Sequence, residues 1–245
     1  MHLLANGLTC IPQVAWLHPE LRHHLPALEH IARVLTEGRH NIEALIPEVK
    51  GDVFKALAWL HKHRVPDTSA YTIPFLSPEY CDLIVQEGMQ YETYKGYTPN
   101  EEEDEEYRIP EFVLQNECPR LAACMEVLFN RGIIPASKIV YSPEIPVLTS
   151  VQLARYEPRG VAHGNWHVDG CSDLSVVVSL APELFTGGGT DIRTGPMNKV
   201  HVPKLPKGHA LMFHGKTTLH RGCAVESGQR DLLVFWSEYK DGHDS

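Results

Sequence analysis

Apolar residues recur at three- and four-residue spacing early in the chain and at alternate positions late in it. From Pro19 to about His63 the spacing is helical: Leu21, Leu25, Leu28, Ile31, Ala32 and Leu35 share one stripe before Gly38 stops the run. A short amphipathic piece is predicted from Asn41 to Val49, and Asp52 is placed to cap a third helix carrying Val53, Leu57 and Leu60. Pro66-Asp67-Thr68-Ser69 reads as a linker. Ser77 as cap and Pro78 at the first helical position then open a helix over Glu79 to Gln90. Cys118 to Arg131 reads as another, with Leu121, Met125, Leu128 and Phe129 on its apolar face.

From Val147 onward the period changes. Val151 to Tyr156 alternates, Pro158-Arg159-Gly160 turns, and Leu174 to Leu180 is a continuous apolar run holding Ser175 and Ser179. Gly187-Gly188-Gly189-Thr190 permits a tight reversal. Val200 to Pro203, Ala210 to Phe213, Thr218 to His220 and Asp231 to Trp236 bring the count to about eight short strands, the pattern of a sandwich or barrel. The predicted class is mainly β with helices (α+β): a helical extension over 1–70 and a β-rich domain over 71–245.

Composition narrows the field. A chain of 245 residues with 43% hydrophobic and 22% charged residues is long enough to bury a sizeable core. Its net charge of −9 argues against a general nucleic-acid binder or an anionic-membrane binder, since phosphate contacts need clustered Lys and Arg. Cys10, Cys81, Cys118, Cys124, Cys171 and Cys223 show no Cys-x-x-Cys spacing, which speaks against a zinc knuckle or dithiol centre and for free thiols in a reducing compartment. Leu3, Leu4 and Leu8 lack a basic flank and are interrupted by Asn6, Gly7 and Pro12, so no signal peptide is expected, and a cytoplasmic location is. No apolar run approaches the length of a membrane span.

Candidate chemistry begins at Gly164-Asn165-Trp166-His167-Val168-Asp169-Gly170. On an extended strand alternate residues share a face, so His167 and Asp169 can converge on one point. His220 can complete a two-His, one-carboxylate set that leaves the opposite side of a metal open and suits non-haem Fe(II). Ten residues on, Arg230 opens an apolar strand; a guanidinium there needs an anion, and its planar fork suits a carboxylate. Among fifteen histidines, a lone His-x-Asp is weak evidence, and His18-Pro19-Glu20 matches it equally well without a downstream partner. His61 and His63 lie two apart on a helix and face away from each other. His163, His209 and His214 flank the core as structural or surface residues. What carries weight is the order: His-x-Asp, glycine turn, distal His, then Arg on a strand ending in Trp236.

With that order the chain, over roughly Pro74 to Tyr239, resembles the Fe(II)- and 2-oxoglutarate-dependent dioxygenases, in the branch of prolyl 4-hydroxylases and procollagen lysyl hydroxylases. The stretch from Ile73 to Ile84 looks like the opening of that branch's catalytic domain. The resemblance implies a double-stranded β-helix (jelly roll), with His167, Asp169 and His220 as iron ligands and Arg230 holding the outer carboxylate of 2-oxoglutarate. It further implies that Tyr156 touches the cosubstrate and that Trp236 lines the same pocket. The implied reaction is oxidative decarboxylation of 2-oxoglutarate with dioxygen, coupled to hydroxylation of a C–H bond, with ascorbate as a candidate helper. Asp169 occupies the position that halogenating relatives leave to chloride, so hydroxylation is expected. Ser179-Leu180-Ala181 departs from the Tyr-Leu-Asn of prolyl hydroxylases, so a hydrogen bond from that Tyr is absent or supplied elsewhere; the Gly-Gly-Gly turn looks closer to lysyl hydroxylases.

The leading expectation is a hydroxylase of a prolyl or lysyl side chain in a protein or peptide. Alternatives are a hydroxylase of a free amino acid or small metabolite, and a non-catalytic jelly-roll binding module. The acidic run Glu101 to Glu106 reads as a solvated loop, or as a substrate lid that would favour a Lys- or Arg-rich substrate. Gly215-Lys216-Thr217 imitates a phosphate loop, but the glycine a Walker sequence needs five residues earlier is Ala210. The turn at Gly187 opens no dinucleotide-binding helix. Zinc hydrolysis could use the same triad but gives Arg230 no duty.

Overall fold

A computed structural model describes residues 7, 9–37, 51–99, 101, 108–142 and 144–239. The amphipathic piece expected at 41–49 and residues 102–106 of the acidic run lie outside the described residues. Helices α1 (Pro19–Thr36) and α2 (Asp52–Lys62) come first. Gly51 occupies the cap position expected for Asp52, whose carboxylate instead sits in the first turn, where it meets the positive end of the helix dipole. Helix α3 (Pro78–Tyr94) starts as read: the Ser77 hydroxyl accepts from the Tyr80 N–H at 3.2 Å and Pro78 follows it. Helices α4 (Leu114–Glu117), α5 (Pro119–Gly132) and α6 (Ile134–Val140) complete the layer.

The strands are β1 (Tyr71–Pro74), β2 (Thr98–Pro99), β3 (Pro110–Val113), β4 (Pro146–Tyr156), β5 (Leu174–Ser179) and β6 (Phe185–Gly187). They continue as β7 (Thr190–Arg193), β8 (Lys199–Val202), β9 (His209–His214), β10 (His220–Gly222), β11 (Val225–Gly228) and β12 (Arg230–Tyr239). A seven-stranded sheet runs β1-β9-β5-β12-β4-β3-β2, beside a three-stranded sheet β10-β7-β8 and the pair β11-β6. Every pairing is antiparallel, as a jelly roll built of hairpins and crossings requires.

Alternation along the central strands sorts residues between two cores. Leu233 and Phe235 on β12, Val151 and Leu153 on β4, and Leu174, Val176 and Val178 on β5 face the helices in one large cluster. Their neighbours Leu232, Val234 and Val177 face the small sheets, packed with Phe185 and Val225. Both faces of β12 are therefore covered, which is why its sequence is continuously apolar rather than alternating. Phe235 stacks on Phe129 of α5 with centroids 5.4 Å apart. On the same side Arg155 donates to Asp231 at 2.8 Å, reaches Glu92 of α3 and lies over the Tyr97 ring, joining the helices to the sheet through a buried ion pair. Among the described residues no helix is long and apolar enough to cross a membrane.

Gly208 joins the segment after β1 to β9. Its carbonyl accepts from the N–H groups of Phe75 and Leu76, both at 2.9 Å, and its own N–H donates to Ser179 at 2.8 Å. Its φ is +77°, and an added methyl would overlap the Leu76 carbonyl oxygen. Gly208→Ala should therefore destabilise by about 2 kcal/mol or more, lowering Tm by roughly 4–8 °C in a chain of this size. Thermal unfolding followed by circular dichroism checks this; an unchanged Tm contradicts the close approach.

Candidate metal and cosubstrate site

The segment carrying His167 and Asp169 is not the regular strand that its spacing suggests. It crosses between the sheets as an irregular stretch that pairs intermittently with the chain around β10. Val225 N–H donates to Ala162, Gly164 N–H to Gly222 and Asp169 N–H to Gly215. In the middle, His167 and His220 exchange both backbone hydrogen bonds, at 3.0 and 2.9 Å. Directly opposed residues of an antiparallel bridge project side chains to the same side. The two imidazole centroids accordingly lie 4.4 Å apart.

Each ring is oriented from behind. His167 Nδ1 lies 2.8 Å from the Asn165 carbonyl and His220 Nδ1 lies 2.9 Å from the Thr218 carbonyl. A carbonyl only accepts, so both Nδ1 atoms carry the proton and both Nε2 atoms present a lone pair. Asp169 Oδ1 stands 3.5 Å from His167 Nε2 and 3.9 Å from His220 Nε2. Burial opposes the charge on Asp169, yet the contact with His167, the nearby His220 and a hydroxyl from Ser175 hold its carboxyl below the ordinary value. Burial pushes the His220 imidazole down, which favours the neutral form that ligates metals. The ligand atoms of the three lie within 4.8 Å of one another: two nitrogens and one oxygen on one side of a point, the donor set that could hold Fe(II) facially.

The triad opens into a cavity of about 240 Å³ that also contains Tyr156, Arg230 and Trp236, so all six residues expected in the site line one space. Arg230 is buried, its guanidinium lies 5.3 Å from the centroid of the Tyr156 ring, and its Nη1 has no hydrogen-bond partner. Burial pushes this guanidinium below its ordinary value, the mark of a buried charge lacking a counter-ion. A dicarboxylate entering the cavity supplies one. Both the donor set and the orphaned guanidinium therefore fit iron and 2-oxoglutarate. Sequence reading assigned no site role to Ser175, Gln152 and Thr190; the first two are buried polar residues in otherwise largely apolar strands, which was the available signal.

A second cluster, Asp191, His201 and Cys223, also gathers metal-type donors. Its carboxylate is already engaged: Lys199 donates at 2.6 Å, His201 at 2.9 Å and Arg221 at 3.0 Å. Asp191 is thus an ion-pair hub that ties β7, β8 and β10 together. Burial works against its charge, but these hydrogen bonds hold its carboxyl well below the usual range. On the same outer face, the guanidinium groups of Arg193 and Arg221 lie 4.4 and 4.8 Å from the ring centroid of Trp166.

No family model matches the chain. A PKHD-type hydroxylase from Synechococcus sp. (strain CC9311) is 37% identical over 78 residues, which are 29% of this chain and 34% of that protein. The chain thus spans about a third of the curated relative it matches. Among solved structures, a prolyl hydroxylase from Trichoplax adhaerens, in complex with a hypoxia inducible factor oxygen degradation domain peptide fragment, aligns over 75% of this chain and 87% of its own. The TM-score is 0.56 and the identity 12%. A non-haem α-ketoglutarate-dependent carbocyclase from nogalamycin biosynthesis aligns over 76% and 87%, with a TM-score of 0.54 and 15% identity. The chain has the fold of the 2-oxoglutarate-dependent oxygenases. Within that fold its likenesses include prolyl hydroxylases, and the mixed α+β jelly roll read from the sequence is the one observed.

The hub makes a pH-dependent prediction. Asp191→Asn should lose about 2 kcal/mol at neutral pH, less than a fully buried pair because Lys199, His201 and Arg221 are each about half in water. The folded carboxyl titrates lower than the unfolded one, at about 3.9. Wild type therefore keeps its full advantage above about pH 4, and the gap to the variant narrows as pH falls through the depressed folded value. Urea unfolding at pH 7 and pH 3 checks it; a gap that widens in acid contradicts the assignment.

Proposed function

We propose that this protein is an Fe(II)- and 2-oxoglutarate-dependent dioxygenase that hydroxylates a prolyl or lysyl side chain in a protein or peptide. The observation that carries the reading is the buried, unpartnered Nη1 of Arg230 in the same cavity as the His167, Asp169 and His220 donor set. In this reading His167 Nε2, Asp169 Oδ1 and His220 Nε2 hold the iron, and Arg230 takes the outer carboxylate of 2-oxoglutarate through its fork. When bound, the ferrous ion and 2-oxoglutarate supply oxidative decarboxylation by dioxygen, coupled to hydroxylation of a C–H bond.

The chain's own contributions are orientation, charge and exclusion of water. Tyr156 and Thr190 bring hydroxyl groups to the cavity, and Ser179, which stands where prolyl hydroxylases carry Tyr, lines an adjoining space beside Arg230 with Thr190. These hydroxyls are the available substitutes for the missing phenol. Val177, Leu211, Phe213, Leu232 and Val234 make the walls apolar, which strengthens the attraction between Arg230 and a carboxylate. Trp236 and Gln152 line the same cavity. The peptide in the Trichoplax complex supports a peptide substrate, and the likeness to the carbocyclase keeps a small molecule as the alternative. The division into a helical extension over 1–70 and an oxygenase domain over 71–245 belongs to the same proposal.

Succinate release from 2-oxoglutarate with Fe(II), ascorbate and oxygen tests the activity. His167→Ala should abolish it. Arg230→Met should weaken 2-oxoglutarate binding roughly 10- to 100-fold, the loss of a charged hydrogen-bonded pair. The same variant should melt no lower than wild type without cosubstrate, because it replaces an uncompensated buried charge with an apolar chain. Mass spectrometry of Pro- and Lys-containing peptides and of free amino acids assigns the substrate: one added oxygen atom on free amino acids and never on peptides sinks the peptide reading. Absence of succinate under all conditions with no retained iron sinks the enzyme reading in favour of a binding module.

A further inference from the structure

The metal reading leaves a chain of three serines behind Asp169 without a role. Ser172, Ser175 and Ser237 are all completely buried. Ser175 lies on β5, a strand whose other inward and outward positions are mostly apolar, and its hydroxyl donates to Asp169 Oδ2 at 2.5 Å. The Ser175 and Ser172 oxygens are 3.0 Å apart. A hydroxyl has one proton. With that of Ser175 committed to the carboxylate, it does not also serve Ser172, whose own proton goes to the Leu174 carbonyl at 2.9 Å. The Ser237 hydroxyl donates to the same carbonyl at 2.9 Å, and the Ser237 N–H donates to Ser172 Oγ at 3.2 Å. Of the three hydroxyls, that of Ser175 donates to Asp169, and the other two anchor the turn behind it.

The surroundings hold the contact between Ser175 and Asp169 in place. Asp169 N–H is bonded to the Gly215 carbonyl, and Ser172 N–H to the Asp169 carbonyl. Gly215 packs against Ser172 and the Ser175 hydroxyl so closely that a methyl there would overlap both. The Asp169 main chain is thus fixed where its side chain meets the Ser175 hydroxyl. Its Oδ2 is therefore occupied, and only Oδ1 faces the two imidazoles.

We propose that Ser175 is a positioning residue of the metal centre, fixing Asp169 so that it meets the ion through one oxygen and leaves the remaining positions to cosubstrate and oxygen. The proposal rests on the metal reading above. An ordinary buried serine filling space on β5 would affect stability alone. A positioning serine also affects how tightly and in what geometry the ion is held.

Mn(II) titration of the full chain by calorimetry, together with the visible absorption of the Co(II)-loaded protein, separates the two. Ser175→Ala should bind Mn(II) roughly 10- to 100-fold more weakly than wild type, the usual penalty for losing a partner of a metal ligand, and should change the Co(II) bands. Ser237→Ala removes an equally buried hydroxyl that does not touch Asp169. It should lower Tm while leaving Mn(II) affinity and the Co(II) spectrum as in wild type. Should Ser175→Ala not fold, Ser175→Cys, which replaces the hydroxyl with a weaker donor, carries the test: weaker Mn(II) binding supports the positioning role, and unchanged binding overturns it. Wild-type affinity and spectrum in Ser175→Ala overturn the proposal, as do equal losses in Ser175→Ala and Ser237→Ala. If wild type itself takes up no Mn(II), Co(II) or Fe(II), the metal reading fails first, and that failure is distinguishable from failure of the positioning role alone.

Discussion

Two backbone hydrogen bonds between His167 and His220 set the position of everything else in the site. The histidines belong to segments far apart in the chain, one an irregular crossing and the other a strand of three residues, His220–Gly222. Neither segment has enough regular pairing to place a side chain alone. The reciprocal bridge removes that freedom, because opposed residues in an antiparallel pair must point the same way. Asp169 then follows two residues after His167 and is caught by Gly215 on the same partner segment. A rigid donor set emerges from a loop because the loop borrows hydrogen-bonding geometry from a strand.

Charge placement inside the cavity follows a consistent division. The carboxylate of Asp169 is buried with one oxygen held by the Ser175 hydroxyl and the other turned toward the two imidazoles, whereas Arg230 is buried with one nitrogen unanswered. Leaving a guanidinium in that state costs stability that a neutral side chain would not. Such a cost persists where a ligand removes it on binding, and the sign of the charge specifies an anion. The apolar walls intensify both halves of this arrangement: they raise the cost in the empty cavity and the attraction once an anion is present. The same walls are the inward-facing residues of β5, β9 and β12, so the chamber is a product of strand alternation.

The period-two pattern on β4 and β12 and the Ser77-Pro78 start of α3 were legible because each is a local signal with a direct mechanical cause. His167, Asp169, His220, Arg230 and Trp236 were legible as an ordered set and Tyr156 through the family resemblance, and the structure brings all six into one cavity. Other features were not. Strands β1 and β3 are four residues each and hold proline, which removes a ladder donor, so their sequences read as entry and loop. Helix α6 is too short for periodicity to declare itself. The metal segment read as a strand because alternation survives at His167 and Asp169 even though pairing fails between them. Ser175 was visible as a polar break in an apolar run, but its partner lies six residues away around a turn, and no spacing rule connects them.

The outer face of the small sheet explains how the two imidazoles stay in register. Alternation sends His220 inward and Arg221 outward, and the residue before His167 is Trp166. Those two neighbours meet: the Arg221 guanidinium lies over the Trp166 ring, with Arg193 also against it. Arg221 is in turn held by Asp191, whose carboxylate also binds Lys199 and His201 from β8. Each histidine is therefore flanked by a residue that is clamped to the other segment on the opposite side of the backbone. The inner bridge sets direction and the outer clasp sets separation. Displacement of either segment must strain both, so the positions of the two imidazoles are coupled by contacts that lie outside the cavity.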